Sequence, residues 1–305
     1  RPNNLLSGQN HPNGVIINYY IKNLQEGDYI RIDIENKDGS VIRTFTNNQD
    51  KYSNIENNDV NKMVGNPVLS NPNDIDNALS SDNLGSLSPK SGGNRLIWDM
   101  RYPGFKSFEG MVLYSSPNVG PKVAPGKYNI KMTYNDQILQ KEFEIVKDPR
   151  VKISQADYQD QLEFLINVRD EVSRANQKII DIRNIKNNMI FILEKTRNNV
   201  ELQEMINKYL TDISEIENNI HMTKNQSRQD PLNYGIRINN RIAFLLADSQ
   251  RGDYPPTDQS KEFFMQVKEE LETEILKLNA LIDKHSEKIE NYLEENKIEL
   301  ISLNN

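Results

Sequence analysis

Hydrophobic and polar positions follow two different periods along this chain. In the first half the period is two. Tyr29-Ile-Arg-Ile-Asp-Ile-Glu35 alternates apolar and polar residues, and Val15–Ile21 is rich in β-branched and aromatic residues; both read as strands. Lys37-Asp38-Gly39-Ser40 follows, and Asp-Gly supplies the left-handed backbone positions that a tight hairpin needs. Val41–Thr46 is then the returning strand. Further strands are expected over 95–100, 110–114, Gly126–Tyr134 and 137–146, with Asn135-Asp136 turning the chain into the last. About seven short strands separated by turn signals predict an antiparallel β-sandwich of immunoglobulin or fibronectin type III kind.

From Ser154 the period changes to three and four. Tyr158, Leu162, Leu165, Val172, Ile179 and Ile182 recur at helical spacing behind a capping box, Ser154-Gln-Ala-Asp157. The spacing predicts a helix over 155–197, roughly 60 Å long at 1.5 Å per residue, and a turn at Asn198-Asn199. A second helix is expected to run to Asp230-Pro231, a short one over 236–247, and a last one from a cap at Thr257 or Asp258. These lengths predict an antiparallel helical bundle of three rods, the middle one broken near Pro231, with narrow coiled-coil-like stripes. Arg169, Asn176 and Arg183 interrupt the first stripe, so polar contacts are expected to set register there.

Charge divides the chain in the same place. Residues 1–150 carry 17 Lys+Arg against 17 Asp+Glu, whereas 151–305 carry 20 against 27. Most of the 13 prolines and 14 glycines fall in the first part. The expected domains are therefore 1–150, a sandwich with an Asn/Ser-rich insertion at 47–93, and 151–305, the bundle. The apolar share is 36% and mean hydropathy is −0.73 over 305 residues, which favours elongated shapes with much surface per unit of core. No Cys is present, which excludes a disulfide framework, a thiolate nucleophile and Cys-ligated metal sites. A net charge of −7 argues against nucleic acid as a partner. No run approaches the ~18 apolar residues of a membrane span. The chain begins with Arg and shows no signal segment, and is expected to be a piece of something longer.

Candidate chemistry is sparse. No nucleophile elbow, phosphate loop, dinucleotide fingerprint or zinc motif occurs, so no catalytic residue and no cofactor is assigned. His11, His221 and His285 are far apart, and the latter two are expected on bundle surfaces or flanks. Most carboxylates on the helices, such as Glu287 beside Lys288, belong to solvated faces. Asp74 and Asp76 in the insertion are weak Ca²⁺-ligand candidates without a complete EF-hand pattern. Arg251-Gly252-Asp253 is an integrin-type tripeptide, but Gly-Asp ahead of Pro-Pro is ordinary loop chemistry. The most distinctive run is residues 93–104, around Trp98. There Trp98, Asp99, Arg101 and Tyr102 are interaction candidates. Leu96, Trp98 and Met100 share one face, which points to a buried Trp98, with Asp99 and Arg101 holding the following loop.

Asn94-Arg-Leu-Ile-Trp-Asp-Met-Arg-Tyr-Pro-Gly104, Gly110-Met-Val-Leu113, Ala124-Pro-Gly-Lys-Tyr128 and Lys147-Asp-Pro-Arg150 resemble the region that follows the β-propeller in bacterial sortilin-like BNR-repeat proteins. The resemblance continues in Gln161-Leu-Glu-Phe-Leu165 and Asn239-Asn-Arg-Ile-Ala-Phe-Leu245. Such proteins often carry a glycosyl-hydrolase label because of the propeller. The resemblance implies an exported bacterial protein of the periplasm or cell surface, and a non-catalytic accessory module that supports an upstream propeller and serves as spacer or docking arm. Its partners would be that propeller and another cell-envelope protein. Any hydrolase activity would reside upstream. The alternative is a carbohydrate-processing protein in which this piece assists substrate binding.

Overall fold

The computed structural model describes residues 11–47 and 85–298. Asp74, Asp76 and most of the expected insertion lie outside the described residues. The elements are β1 (Val15–Ile21), β2 (Ile30–Asn36), β3 (Val41–Thr46), β4 (Gly92–Trp98), β5 (Gly126–Tyr134) and β6 (Gln137–Ile145), then α1 (Gln155–Lys195), α2 (Val200–Ile220), α3 (Pro231–Tyr234), α4 (Ile238–Ser249) and α5 (Asp258–Glu295). The chain is thus β first and helical afterwards. It forms two compact units, Arg1–Gly104 with Asn118–Leu162, and Phe105–Pro117 with Glu163–Asn305. Segment 105–117 belongs with the helices although its composition is that of the first half.

The first unit holds two antiparallel sheets. β1 pairs with β4, from Val15 opposite Trp98 to Ile21 opposite Gly92. The other sheet has the order β3-β2-β5-β6. Ile17, Ile21, Leu96 and Trp98 from the small sheet share one core with Ile30, Ile32, Ile34 and Phe45 from the large one. The Asp38-Gly39 turn forms as the sequence predicts, with Gly39 at φ 87° and the Asn36 amide donating to Ser40 O at 2.8 Å. A bulge between Ile34 and Glu35 leaves Ile42 as the extra residue of β3. Asn135 turns β5 into β6 at φ 49°. Its Oδ1 accepts the Tyr29 amide at 2.8 Å, so the turn also anchors the start of β2. Gly14 leads into β1 at φ 142°, and a Cβ there would lie 2.3 Å from Trp98 O.

Two strand expectations are corrected. The fourth strand starts earlier than 95 and stops at Trp98, because Met100 takes φ 61° and leaves extended geometry. No strand forms over 110–114. The Tyr114 amide donates to Asn240 Oδ1 at 2.7 Å instead of to a neighbouring strand, and Phe108, Met111 and Leu113 pack into the helical core.

In the helical unit the apolar stripes do what their spacing predicts. Val168, Val172 and Ile179 of α1 share a core with Leu202 and Ile206 of α2, Ile242 and Leu246 of α4, and Val267 and Leu271 of α5. The caps at Ser154 and Thr257 sit where the sequence puts them, and Asn199 of the expected turn caps the second helix. Asp157 Oδ2 accepts the Ser154 amide and hydroxyl at 2.8 Å each. Asn199 Oδ1 accepts the Leu202 amide at 3.0 Å, and Thr257 Oγ1 accepts the Ser260 amide at 3.1 Å. The second helix is shorter than expected. It ends at Ile220, not 230, because His221 turns to φ −135°, ψ 136° and packs its ring edge-on against Phe108 at 4.9 Å.

The polar residues interrupting the first stripe are points of attachment. Asn176 Nδ2 donates to Lys106 O at 2.6 Å, and Asn239 Nδ2 donates to Asn176 Oδ1 at 3.0 Å. Arg183 reaches Glu217 Oε1 at 2.9 Å and Glu109 O at 2.7 Å. Segment 105–117 is therefore held to α1 and α4 by buried amides as well as by apolar packing.

Candidate functional site

The run around Trp98 is mainly structural. Trp98 is 1% exposed, with edge-on contacts to Tyr128 at 6.3 Å and Phe143 at 6.2 Å, and its Nε1 donates to Arg101 O at 3.0 Å. The ring is buried, as the face shared with Leu96 and Met100 predicts, and offers no surface to a partner. Asp99 and Arg101 hold the following loop. The Arg101 amide donates to Asp99 Oδ1 at 3.2 Å, and its Nη1 donates to Gly120 O at 2.8 Å. Burial pushes the Asp99 carboxyl up, against the opposing pull of Arg43 and Arg101. Tyr102 bonds through its amide to Pro121 O at 2.9 Å and accepts from Asn36 Nδ2 at 3.3 Å. Tyr128 donates its hydroxyl to Ala124 O, and burial, with Tyr102 nearby, pushes its hydroxyl up to about 12.

A concave feature of the β unit lies elsewhere. A groove of about 710 Å³ runs between β1 and the β5–β6 half of the large sheet. Among the described residues the small sheet has two strands and the large one four. Ile30, Ile32 and Ile34 of β2 are fully buried in the core shared with the small sheet, Ile130 and Met132 of β5 are half-buried, and Leu139 of β6 is 70% exposed. The register pairs Ile130 with Lys141, Met132 with Leu139 and Tyr128 with Phe143, so these side chains share that inner face. Residues 15–23 line the groove without a gap, and no residue of β4 does. The groove therefore follows the edge of β1 opposite β4, an edge that pairs with nothing among the described residues. Lys22 and Lys141 are the charged residues among the described lining, with no carboxylate. At one end Tyr134 donates to Asp28 Oδ2 at 2.5 Å, which lowers the Asp28 carboxyl and raises the Tyr134 hydroxyl. Around the β1 edge, Tyr20 is 73% exposed beside Asn18, Asn94 and Arg95.

Sequence reasoning missed this groove. The signal available was period two across β6, where Gln137, Leu139, Lys141, Phe143 and Ile145 fall on one face and set a lysine among apolar residues.

The helical unit places titratable groups inside. His221 and His285 are buried, which corrects their expected place on surfaces or flanks. Burial pulls the His221 imidazole down to about 4, although Asn239 Nδ2 lies 3.2 Å from its Nδ1. His285 stacks on Tyr209 at 4.7 Å, with Asp212 3.3 Å from its Nε2. Glu217 meets Arg183 at 2.9 Å and Lys186 at 2.8 Å. Burial raises its carboxyl, but these two partners hold it below the usual range. Among the described residues, no three His, Asp or Glu gather as a metal site, and no helix is long and apolar enough to cross a membrane. Arg251 of the Arg-Gly-Asp tripeptide pairs with Asp248 at 3.3 Å in the loop before α5.

No family model, no curated protein and no solved structure matches the chain.

Proposed function

We propose that this chain is a non-catalytic interaction module whose β unit binds an apolar partner segment in the groove beside β1. The observation that carries this reading is the face of β5 and β6 that the described residues leave partly open, where Met132, Leu139 and Phe143 line a concave surface. Burying such a face releases free energy of roughly 25 cal/mol per Å² of apolar area. Concave, mostly apolar clefts with few polar groups are the usual form of binding sites. On this reading the two sheets are an immunoglobulin-like sandwich short of one strand, and the helices are an antiparallel bundle that serves as spacer or docking arm. The resemblance around Trp98 supports an accessory role behind an upstream propeller in an exported bacterial protein.

The carbohydrate alternative calls for aromatic rings beside carboxylates. Tyr19, Tyr134 and Phe143 supply rings, whereas the charged side chains of the described lining are lysines. That favours a peptide over glycosidic chemistry. Screening the whole chain against a displayed peptide library and a glycan array tests the reading. Enrichment of extended apolar peptides, lost when Leu139 is replaced by Asp, is the expected result. Binding of a defined glycan without peptide enrichment would overturn it.

A further inference from the structure

Resting on that reading, we infer that the groove takes its occupant as an added β-strand on the edge of β1 away from β4, and that this strand carries a carboxylate that meets Lys141. Three observations converge. The lining runs through consecutive residues 15–23. Successive residues of a strand point to opposite faces, so an unbroken run marks a groove along the backbone edge and not over one face. The absence of β4 from the lining puts the groove on the side of β1 that has no strand partner among the described residues. The groove floor is the inner face of β5 and β6, where an added strand would lie as the small sheet's third member.

An edge of seven residues spans about 23 Å at ~3.3 Å per residue. Main-chain hydrogen bonds to such an edge give affinity, and side chains at alternate positions give specificity. Inward positions would cover Met132, Leu139 and Phe143, so they must be apolar. Lys141 changes the demand at one position. It lies between Leu139 and Phe143 on the inner face of β6 and opposite Ile130 of β5. An inward charge on an edge strand disfavours indiscriminate pairing. Covered by an apolar side chain, its ammonium would be desolvated without a partner, which is strongly unfavourable. A carboxylate in the occupant removes that cost and forms a charge-assisted hydrogen bond. Lys22 at the end of β1 adds to the positive potential, and no carboxylate of the described lining opposes it. The partner is therefore an extended segment of another protein chain, apolar at alternate positions and acidic at an inward one.

Fluorescence anisotropy with the full chain tests this. The probes are fluorescein-labelled nine-residue peptides with Val or Ile at alternate positions and Glu, Gln or Lys at the central inward one. The Glu peptide should bind at least tenfold tighter than the Gln peptide, and the Lys peptide weakest. Lys141→Glu should reverse the order of the Glu and Lys peptides, and Lys141→Gln should abolish it. Unchanged Trp98 fluorescence would show that both variants are folded. N-methylation of alternate amides on the pairing side should abolish binding. Peptides that bind regardless of central charge or N-methylation would overturn this inference and leave the groove reading intact. Binding of oleate but no peptide, or self-association of the chain lost on Leu139→Asp, would overturn the inference and replace the peptide with that occupant.

Discussion

Replacing Trp98 by alanine removes the largest side chain of the β core and should unfold that unit selectively. Trp98 is 1% exposed and touches Tyr128 and Phe143 edge-on, each at about 6 Å between ring centres. Truncating a buried Trp costs ~3–5 kcal/mol through lost transfer energy and the cavity left behind. The aromatic contacts, worth ~0.5–1.5 kcal/mol per pair beyond area, fall inside that range, as does the lost bond from Nε1 to Arg101 O. The Arg101 carbonyl then loses a donor beside the Asp99 loop, so the turn following β4 loosens as well. Trp98→Phe keeps a ring but not the donor, and should cost about half as much. With a urea dependence of ~1–3 kcal/mol/M, the alanine variant should move the midpoint of the β unit down by on the order of 2 M. Hydrogen exchange of peptides from β2 and β5 along a urea series reads that unit, and circular dichroism of the helical signal reads the other. An unshifted midpoint in β2 and β5 would refute the core assignment and return Trp98 to the interaction surface.

The buried histidine gives a pH prediction. His221 folds with its imidazole pulled down to about 4, below the usual 6.5. Its contribution is therefore fully present above pH ~6.5 and is lost as pH falls towards 4, a loss on the order of 3 kcal/mol at 1.36 kcal/mol per pH unit. Urea melts of the wild type and His221→Gln should converge over that window, and parallel curves would contradict the burial argument. Glu217→Ala takes the carboxylate from the part-buried Arg183 and Lys186, and should cost ~1–3 kcal/mol in helical melts. Asn199→Ala removes the acceptor of the Leu202 amide and the Tyr292 hydroxyl, and should cost ~1–2 kcal/mol; an unchanged melting temperature would show that the cap is dispensable. Gly14→Ala puts a Cβ 2.3 Å from Trp98 O and should weaken the β1–β4 pair, visible as faster amide exchange in both strands.

The parts that were legible in the sequence are those that local chemistry determines. Asp38-Gly39 and Asn135 set the hairpins, Thr257 caps the last helix, and the Val172–Ile179 spacing marks the buried stripe of α1. What was not legible depends on long-range partners. Segment 110–114 has the residues of a strand, but Asn240, more than a hundred positions away, takes its amide hydrogen bond. The second helix stops at Ile220 with no Pro or Gly to stop it, because His221 finds a buried site against Phe108. The groove escaped because strand patterns reveal which face is apolar and not how many strands lie over it. Lys141 within an apolar face of β6 was the visible trace, and its meaning emerges only from the register that sets it opposite Ile130 of β5.

A partner strand on β1 would pair along the edge that has no strand partner among the described residues. Hydrogen–deuterium exchange of the full chain, with and without a saturating peptide selected from the library, tests it most directly. New protection should be confined to 15–23 and to β6, because added main-chain bonds slow amides at the paired edge and burial slows those of the groove wall. Protection confined to the helices, with β1 and β6 unchanged, would contradict it.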